Sequence, residues 1–169
     1  MSNIIIGTAG HIDHGKTALI RALNGFEGDS TNEEKQRGIT IDLSFSNLTR
    51  AERNIAFIDV PGHEKLIKNM IAGAFGFDYV MLVVSAKEGL MPQTIEHIEI
   101  LSLLGIKNLI LVITKKDLVD EKILKEQEDK IVEFLNEFEF NIKFIKAVSI
   151  YDEKSIEDLK DTLFTISNS

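Results

Sequence analysis

The chain has 169 residues, of which 44% are hydrophobic, and its 19 basic and 27 acidic residues give a net charge of −8. This composition indicates one globular domain and argues against a stand-alone nucleic-acid-binding protein, because contacts to phosphates need a positive surface. The absence of cysteine excludes disulfides and thiolate metal sites. No apolar run approaches the roughly 20 residues that cross a bilayer, so we expect no membrane partner.

Apolar runs predict strands and amphipathic stretches predict helices along the whole chain. In chain order, the predicted strands are residues 3–7, 41–48, 55–58, 79–84, 109–113 and 142–148. The predicted helices are residues 18–24, 93–104, 120–139 and 155–166. This alternation predicts an α/β fold with a mostly parallel six-stranded sheet and helices on both faces.

One long segment, residues 25–39, shows no apolar period and is polar with three glycines. It is predicted to be a loop of about fifteen residues, a length that is usually functional or mobile.

The segment GHIDHGKT at residues 10–17 matches the pattern G-x-x-x-x-G-K-[ST] between a predicted strand and a predicted helix. Its backbone N–H groups and the start of the helix are expected to bind phosphate oxygens. Lys16 is expected to neutralise the β- and γ-phosphates. The fold is thus predicted to be that of a P-loop NTPase of the Ras-like type. The predicted phosphate-binding residues are Gly10, His11, Ile12, Asp13, His14, Gly15, Lys16, Thr17, Ala18 and Gly62.

Three oxygen-bearing side chains are predicted to hold Mg²⁺, a hard cation that prefers oxygen ligands. Thr17 follows the phosphate-binding lysine, and Asp59 comes directly after the predicted strand at residues 55–58. Thr40 closes the long loop and is the expected second hydroxyl ligand in the triphosphate state. The alternative for Thr40 is that it only begins the next strand, since threonine favours strands.

The segment after the predicted strand at residues 109–113 is expected to recognise guanine. Asp117 can accept hydrogen bonds from the ring N–H and the amino group of guanine, a donor pair that adenine lacks. The stem of Lys115 can lie against the base. The full predicted guanine set is Thr114, Lys115, Asp117, Ser149 and Ile150, where residues 148–150 offer a backbone N–H to the guanine oxygen.

Four histidines are present, at spacings that do not form a zinc-binding motif. His63 follows the D-x-x-G segment and is predicted to orient the water that attacks the γ-phosphorus. His97 is expected to have a surface or partly buried structural role. The predicted catalytic residues are His63, Lys16 and Thr40. Because no arginine is placed as a finger in the phosphate loop, we expect slow hydrolysis that is stimulated from outside the chain.

Together these segments resemble the translational GTPases of the elongation-factor class, and within them the selenocysteine-specific elongation factors. The resemblance covers essentially the whole chain. The segments that carry it are TAGHIDH at 8–14, EEKQRGITIDL at 33–43, IDVPGHEK at 58–65, NMIAG at 69–73 and MPQTIEH at 91–97.

The resemblance implies GTP and GDP as ligands with Mg²⁺ on Thr17, Thr40 and Asp59, and a monovalent cation near Asp13. It also implies that Ile12 and Ile39 flank His63 until the ribosome activates it. Most GTPases have asparagine where this chain has Thr114. Threonine is typical of the selenocysteine factors, and the bond from this position to the phosphate loop is expected to change.

The resemblance further implies a cytoplasmic protein whose residues 1–169 form the GTP-binding domain. The β-barrel domains and the C-terminal RNA-binding region of such factors would be absent from this chain. The full-length parent would deliver selenocysteinyl-tRNA to the ribosome, while this domain alone would be a monomer and a weak RNA binder. Two alternatives remain: another translational GTPase of the EF-Tu or initiation-factor type, or a nucleotide-binding interaction module without relevant catalysis.

Overall fold

The structure is a computed structural model, and it describes residues 2–11, 14–25, 44–59 and 76–166. The predictions made for Ile12, Asp13, Thr40, Gly62 and His63 lie outside the described residues, as do those for most of the loop at 25–39. For Asp59 only the backbone is described.

The described residues form one six-stranded sheet with the strand order β2-β3-β1-β4-β5-β6. Only β2 is antiparallel, pairing with β3, and the other neighbouring strands are parallel. The sheet is therefore mostly parallel, as predicted. The strands are β1 (Ser2–Gly10), β2 (Ser44–Arg50), β3 (Arg53–Asp59), β4 (Tyr79–Ser85), β5 (Asn108–Thr114) and β6 (Asn141–Ala147).

Four helices are described, and they cover both faces of the sheet. They are α1 (Lys16–Leu23), α2 (Pro92–Leu103), α3 (Glu121–Leu135) and α4 (Glu153–Leu163). A short 3₁₀ turn, Lys116–Leu118, follows β5. Asp120 and Asp152 accept hydrogen bonds from backbone N–H groups at the starts of α3 and α4, which satisfies donors that a helix leaves unpaired.

Two hydrophobic clusters hold these layers together, one on each face of the sheet. Leu19 of α1 and Leu159 of α4 pack with Ile6 on one face. Ile98 of α2 and Ile131 of α3 pack with Leu111 on the other face. The central strand β4 is buried along its whole length, which explains why its sequence is a continuous apolar run rather than an alternating one.

The predicted helix at residues 120–139 ends earlier in the structure, at Leu135. The chain then turns, and Phe138 stacks edge-on against Phe134 with ring centroids 5.4 Å apart. The ring centroids of Phe138 and Phe140 are 5.6 Å apart. Phe138 also packs against the core, although it lies beyond the end of the helix. The apolar period therefore extended beyond the helix because the aromatic residues of the turn are also partly buried.

Candidate nucleotide-binding site

The carboxyl ends of parallel strands β1, β4, β5 and β6 meet at one edge of the sheet. The register pairs Gly10 with Val83 and Ser85 with Thr114. In open α/β sheets, ligands bind at this edge. The structure thus brings together two predicted groups that are about 100 residues apart in the chain, namely the described part of the phosphate loop and the segment predicted to recognise guanine.

The phosphate loop depends on two glycines with positive φ angles, 133° at Gly10 and 88° at Gly15. A Cβ atom at Gly10 would collide with the carbonyl oxygen of Val83, so only glycine fits there. Gly15 precedes α1, which has no described capping side chain and no acidic residue in its first turn. The N–H groups of this turn, with the positive end of the helix dipole, are suited to an anion.

The predicted phosphate-binding side chains on α1 differ in exposure. The Lys16 side chain is nearly buried, with the residue 4% exposed, whereas Thr17 is exposed. The structure thus places Lys16 inside the protein at the start of α1 and Thr17 at its surface.

The described part of the loop includes His14, which has no exposed surface. Its Nδ1 accepts the backbone N–H of Ser85 at 3.1 Å, so in the neutral ring the proton lies on Nε2. Nε2 is 3.2 Å from the Glu88 carboxylate. The His11 ring lies beside it, with centroids 4.8 Å apart. His14 therefore connects the phosphate loop to the segment after β4.

Burial lowers the pKa of His14 below its ordinary value, because the charged ring would lose its hydration. The hydrogen bond to Glu88 acts in the opposite direction and is the smaller effect. Burial thus favours the neutral form of the His14 ring, which suits its contacts with the Ser85 N–H and the Glu88 carboxylate. Sequence reasoning placed it in the loop but missed Ser85 and Glu88, which are more than 70 residues away.

His97 is a second histidine that holds this loop, and it is buried rather than at the surface, with 1% of the residue exposed. Its Nδ1 accepts the backbone N–H of Gly10 at 3.2 Å. The role is structural, as expected, but the expectation of a surface or partly buried side chain is wrong. Its position on the inner face of α2 explains the burial, since its neighbour Ile98 is also fully buried.

Thr114 connects the base-recognition segment to the phosphate loop. Its hydroxyl donates a buried hydrogen bond of 2.6 Å to the backbone carbonyl of His14. Its own carbonyl accepts the N–H of Ala86 at 2.8 Å. A threonine hydroxyl thus bonds the base-recognition segment directly to the phosphate loop.

Lys115 and Asp117 lie on the tight turn after β5. Lys115 has a φ of 59°, a left-handed conformation that is uncommon outside glycine and is found at functional sites. The backbone N–H of the next residue, Lys116, bonds to the Val148 carbonyl at 3.2 Å, which joins this turn to the end of β6. Asp117 is exposed, so its carboxylate is accessible to a ligand.

The backbone after β6 offers one N–H group to a ligand rather than two. The N–H of Ser149 donates to the Ser155 hydroxyl at 3.1 Å and is therefore engaged. Among the described residues, no partner accepts the N–H of Ile150. Ile150 is thus the better placed backbone donor of the predicted pair, and Ser149 shapes the turn. Sequence reasoning missed Ser155, which only the folded turn brings to Ser149.

A cavity of about 240 Å³ joins these segments. Its wall is mostly apolar, as expected for a site that holds a flat aromatic base. It is lined by Gly15, Ala18, Thr114, Lys115, Asp117, Leu118, Val148, Ile150 and Tyr151. The cavity therefore begins at the first turn of α1 and ends at the base-recognition segment.

An ion pair links the two turns that line the cavity. The Lys116 ammonium lies 3.2 Å from the Asp152 carboxylate. The hydrogen bond from Lys116 lowers the pKa of the Asp152 carboxyl group. Asp152 also accepts the N–H of Ser155 at the start of α4. The turn at residues 149–152 is therefore held from two sides.

The metal ligands predicted from sequence are described only in part. The register places the backbone of Asp59 beside Thr8 of β1, at the carboxyl end of β3. Thr17 is exposed in the first turn of α1. Within the described ranges, no group of three or more histidine or acidic side chains could by itself hold a metal ion. No helix in these same ranges is both long and apolar enough to cross a membrane.

Comparison with known proteins gives the family. The family model described as "Elongation factor Tu GTP binding domain" matches residues 1–169. A selenocysteine-specific elongation factor from Desulfomicrobium baculatum is 46% identical over 98% of this chain and 26% of its own length. This chain thus spans about a quarter of the length of that relative.

Two solved structures agree with this comparison. The crystal structure of a bacterial selenocysteine-specific elongation factor, EF-Sec, matches 98% of this chain and 28% of its own, at 44% identity and a TM-score of 0.80. The elongation factor SelB from Methanococcus maripaludis, in complex with the GTP analogue GPPNHP, matches 98% of this chain and 34% of its own, at 34% identity and a TM-score of 0.77. The chain belongs to the family of elongation factor Tu GTP-binding domains, with selenocysteine-specific elongation factors among its close relatives.

Proposed function

We propose that this chain binds GTP and GDP and hydrolyses GTP, as the switch domain of a selenocysteine-specific elongation factor. The observation that carries this proposal is the cavity that runs from Gly15 and Ala18 to Asp117 and Ile150. Phosphates bound at the start of α1 would leave the base of the nucleotide in this cavity. The relative solved with a GTP analogue supports the same class of ligand.

The base is read by three groups in this proposal. The Asp117 carboxylate accepts the ring N–H and amino group of guanine, and the Ile150 N–H donates to the guanine oxygen. The stem of Lys115 lies against the ring, and Ser149 and Thr114 hold the surrounding turns in place. Calorimetric titration with GDP, GTP and ADP tests this directly. We expect tight binding of both guanine nucleotides, and ADP binding as tight as GDP binding would contradict it.

Mg²⁺ fits the oxygen donors that the sequence supplies, and Thr17, Thr40 and Asp59 would hold it. When bound, the ion neutralises charge on the phosphate oxygens. The exposed position of Thr17 in the first turn of α1 and the place of Asp59 at the end of β3 support this set. The resemblance also favours a monovalent cation near Asp13, which a comparison of hydrolysis in potassium and in sodium buffers tests.

Hydrolysis is assigned to three residues. Lys16 stabilises charge on the γ-phosphate, Thr40 closes the first switch, and His63 orients the attacking water. We propose that this reaction is slow in the isolated domain and stimulated by the ribosome. The test is GTP turnover with and without ribosomes for the full-length parent and its His63→Ala variant. The variant is expected to keep its nucleotide affinity and to lose the stimulated rate, and equal stimulated rates would contradict the assignment.

The whole parent protein is proposed to deliver selenocysteinyl-tRNA to the ribosome in the cytoplasm, because its relatives carry the name selenocysteine-specific elongation factor. β-barrel and C-terminal RNA-binding domains of the parent would supply most RNA contacts. The net charge of −8 supports a weak RNA affinity for this domain alone, which we propose is a monomer. Retention of selenocysteinyl-tRNA over seryl-tRNA by the full-length protein tests the delivery role.

A further inference from the structure

The end of β1 loses one of its two strand neighbours where it becomes the phosphate loop. The β1–β3 register ends at the pair Thr8 and Asp59, whereas the β1–β4 register continues to Gly10 and Val83. In this stretch a side chain serves as an acceptor for the backbone, because the Gly10 N–H donates to Nδ1 of His97 at 3.2 Å. The bond is buried, so water does not replace it, and a buried N–H without an acceptor is costly.

The phosphate loop is held near both of its ends by side chains of other elements. His97 of α2 accepts the N–H of Gly10, the first residue of the loop. Thr114 donates its hydroxyl to the carbonyl of His14, near the other end. Both bonds are buried, and they reach the loop across 87 and 100 residues of chain. A loop that is fixed before its ligand arrives pays less of the ordering cost of binding.

The ring of His97 supplies two properties at this position, an acceptor and a volume. Only 1% of the residue is exposed, so the ring fills space inside the protein. Because Nδ1 accepts a hydrogen bond, the proton of the neutral ring lies on Nε2. Asparagine keeps an acceptor, Oδ1, at the same number of bonds from Cα, whereas phenylalanine keeps the ring volume and has no acceptor. The two properties can therefore be tested apart.

We propose that His97 is a positioning residue for nucleotide binding, an inference that rests on the proposed binding of guanine nucleotides. Its Nδ1 fixes Gly10, so that the N–H groups of the loop are oriented for phosphates before a nucleotide binds. His97 thus contributes to affinity in addition to its place in the packing of α2. GDP and GTP share the phosphates that the loop binds, so both should gain equally from this bond. An interaction that is equal for substrate and transition state leaves the rate of the bound step unchanged.

The test compares His97→Phe, which removes the acceptor, with His97→Asn, which keeps it and loses volume. Calorimetry gives the affinities for GDP and for the GTP analogue GPPNHP, and single-turnover measurements give the hydrolysis of bound GTP. Urea unfolding gives the stability of each variant. Ile98→Val is the matched control, since Ile98 is the next residue of α2 and is fully buried, but belongs to the hydrophobic core. It lowers stability without touching the loop.

We expect His97→Phe to bind GDP and GPPNHP about tenfold more weakly, by the same factor for both, and to hydrolyse bound GTP at the wild-type rate. His97→Asn and Ile98→Val should keep the wild-type affinities, although both unfold at lower urea concentrations. Unchanged GDP affinity in His97→Phe overturns the inference. Equal weakening in all three variants also overturns it, because the ring would then act through packing alone.

A readout on the wild type does not depend on the folding of any variant. The ¹⁵N resonance of His97 Nδ1 should be that of an unprotonated acceptor, and the Gly10 amide should exchange slowly in D₂O. A proton on Nδ1 overturns the inference. If the wild type binds no GDP, the proposed function and this inference both fall, whereas a wild type that binds GDP with variants that fail these expectations removes this inference alone.

Discussion

The hydroxyl of Thr114 donates a hydrogen bond of 2.6 Å to the backbone carbonyl of His14, and this bond lies inside the protein. It joins the segment that follows β5 to the phosphate loop.

Thr114→Val keeps the shape of the side chain and removes the hydroxyl, so the His14 carbonyl loses its buried donor. We expect the free energy of unfolding to fall by about 1–3 kcal/mol, the cost of a buried polar group without a partner. GDP should also be released faster, because the loop is less firmly held. Urea unfolding and GDP release measure the two effects.

Thr162→Val is the matched control for this prediction. The Thr162 hydroxyl donates to the Asp158 carbonyl at 2.8 Å, but this bond is exposed to solvent. Water can replace this bond, so the free energy of unfolding of the variant should fall by less than about 0.5 kcal/mol. Equal losses for Thr114→Val and Thr162→Val would show that the buried bond has no special role.

The sequence was sufficient to predict the sheet because its central strands are buried on both faces. Continuous apolar runs at residues 79–84 and 109–113 correspond to β4 and β5, which each have a parallel neighbour on both sides. The phosphate loop before α1 was predictable for a different reason. Glycine tolerates the positive φ angles that the loop needs, and this requirement is visible in the residue type itself.

The bonds that hold the loop were not predictable from local pattern. Ser85 and Glu88 contact His14 across 71 and 74 residues of chain, and no periodicity encodes such a pairing. The engaged N–H of Ser149 is a similar case, because its acceptor Ser155 belongs to the next helix. These contacts depend on strand order and register, which hydrophobic period alone does not specify.

The buried His14 predicts how stability responds to acid. Burial lowers the pKa of His14 in the folded state, so the unfolded chain, with a histidine pKa of about 6.5, binds the proton more readily. The contribution of this residue to stability is therefore greatest above that value and falls as the pH drops below it. The free energy of unfolding is measured with urea at about pH 7.5 and about pH 5.5. It should decrease less on acidification for His14→Asn, which does not titrate, than for the wild type.

Glu88→Gln provides the second half of this test. The Glu88 hydrogen bond raises the pKa of His14 and so offsets part of the effect of burial. Without that charge the folded-state pKa of His14 falls further, and the loss of stability on acidification should exceed that of the wild type. A Glu88→Gln protein with the same pH dependence as the wild type would contradict the pairing of these residues.

Ser155→Ala tests the turn that presents Ile150. The Ser155 hydroxyl accepts the Ser149 N–H and lies 3.2 Å from the Ser149 carbonyl, in a buried setting. Its removal leaves that N–H without a partner, and we expect a loss of about 1–3 kcal/mol in the free energy of unfolding. Ser155→Thr keeps the hydroxyl and is the control. If alanine and threonine variants release GDP at the wild-type rate, the turn does not depend on this bond.

Asp117→Asn tests base selection at the exposed carboxylate of the pocket. Asparagine has one acceptor and one donor group in place of two acceptor oxygens. Its amide NH₂ group would therefore meet the amino group of guanine, which is also a donor, and the two could not form a hydrogen bond. The affinity for GDP should fall by about a hundredfold or more, since a pocket built for a hydrogen-bond pair rejects a partner that leaves groups unpaired.

Xanthine carries an oxygen where guanine carries the amino group, and the asparagine amide can donate to it. Competition between GDP and xanthosine diphosphate, followed by calorimetry, should therefore shift toward the xanthine nucleotide in Asp117→Asn. The exposed carboxylate of Asp161 lies on α4, outside the cavity, and Asp161→Asn is the matched control. If Asp117→Asn discriminates as the wild type does, then Asp117 does not read the base, and the cavity must select its ligand through its backbone donors alone.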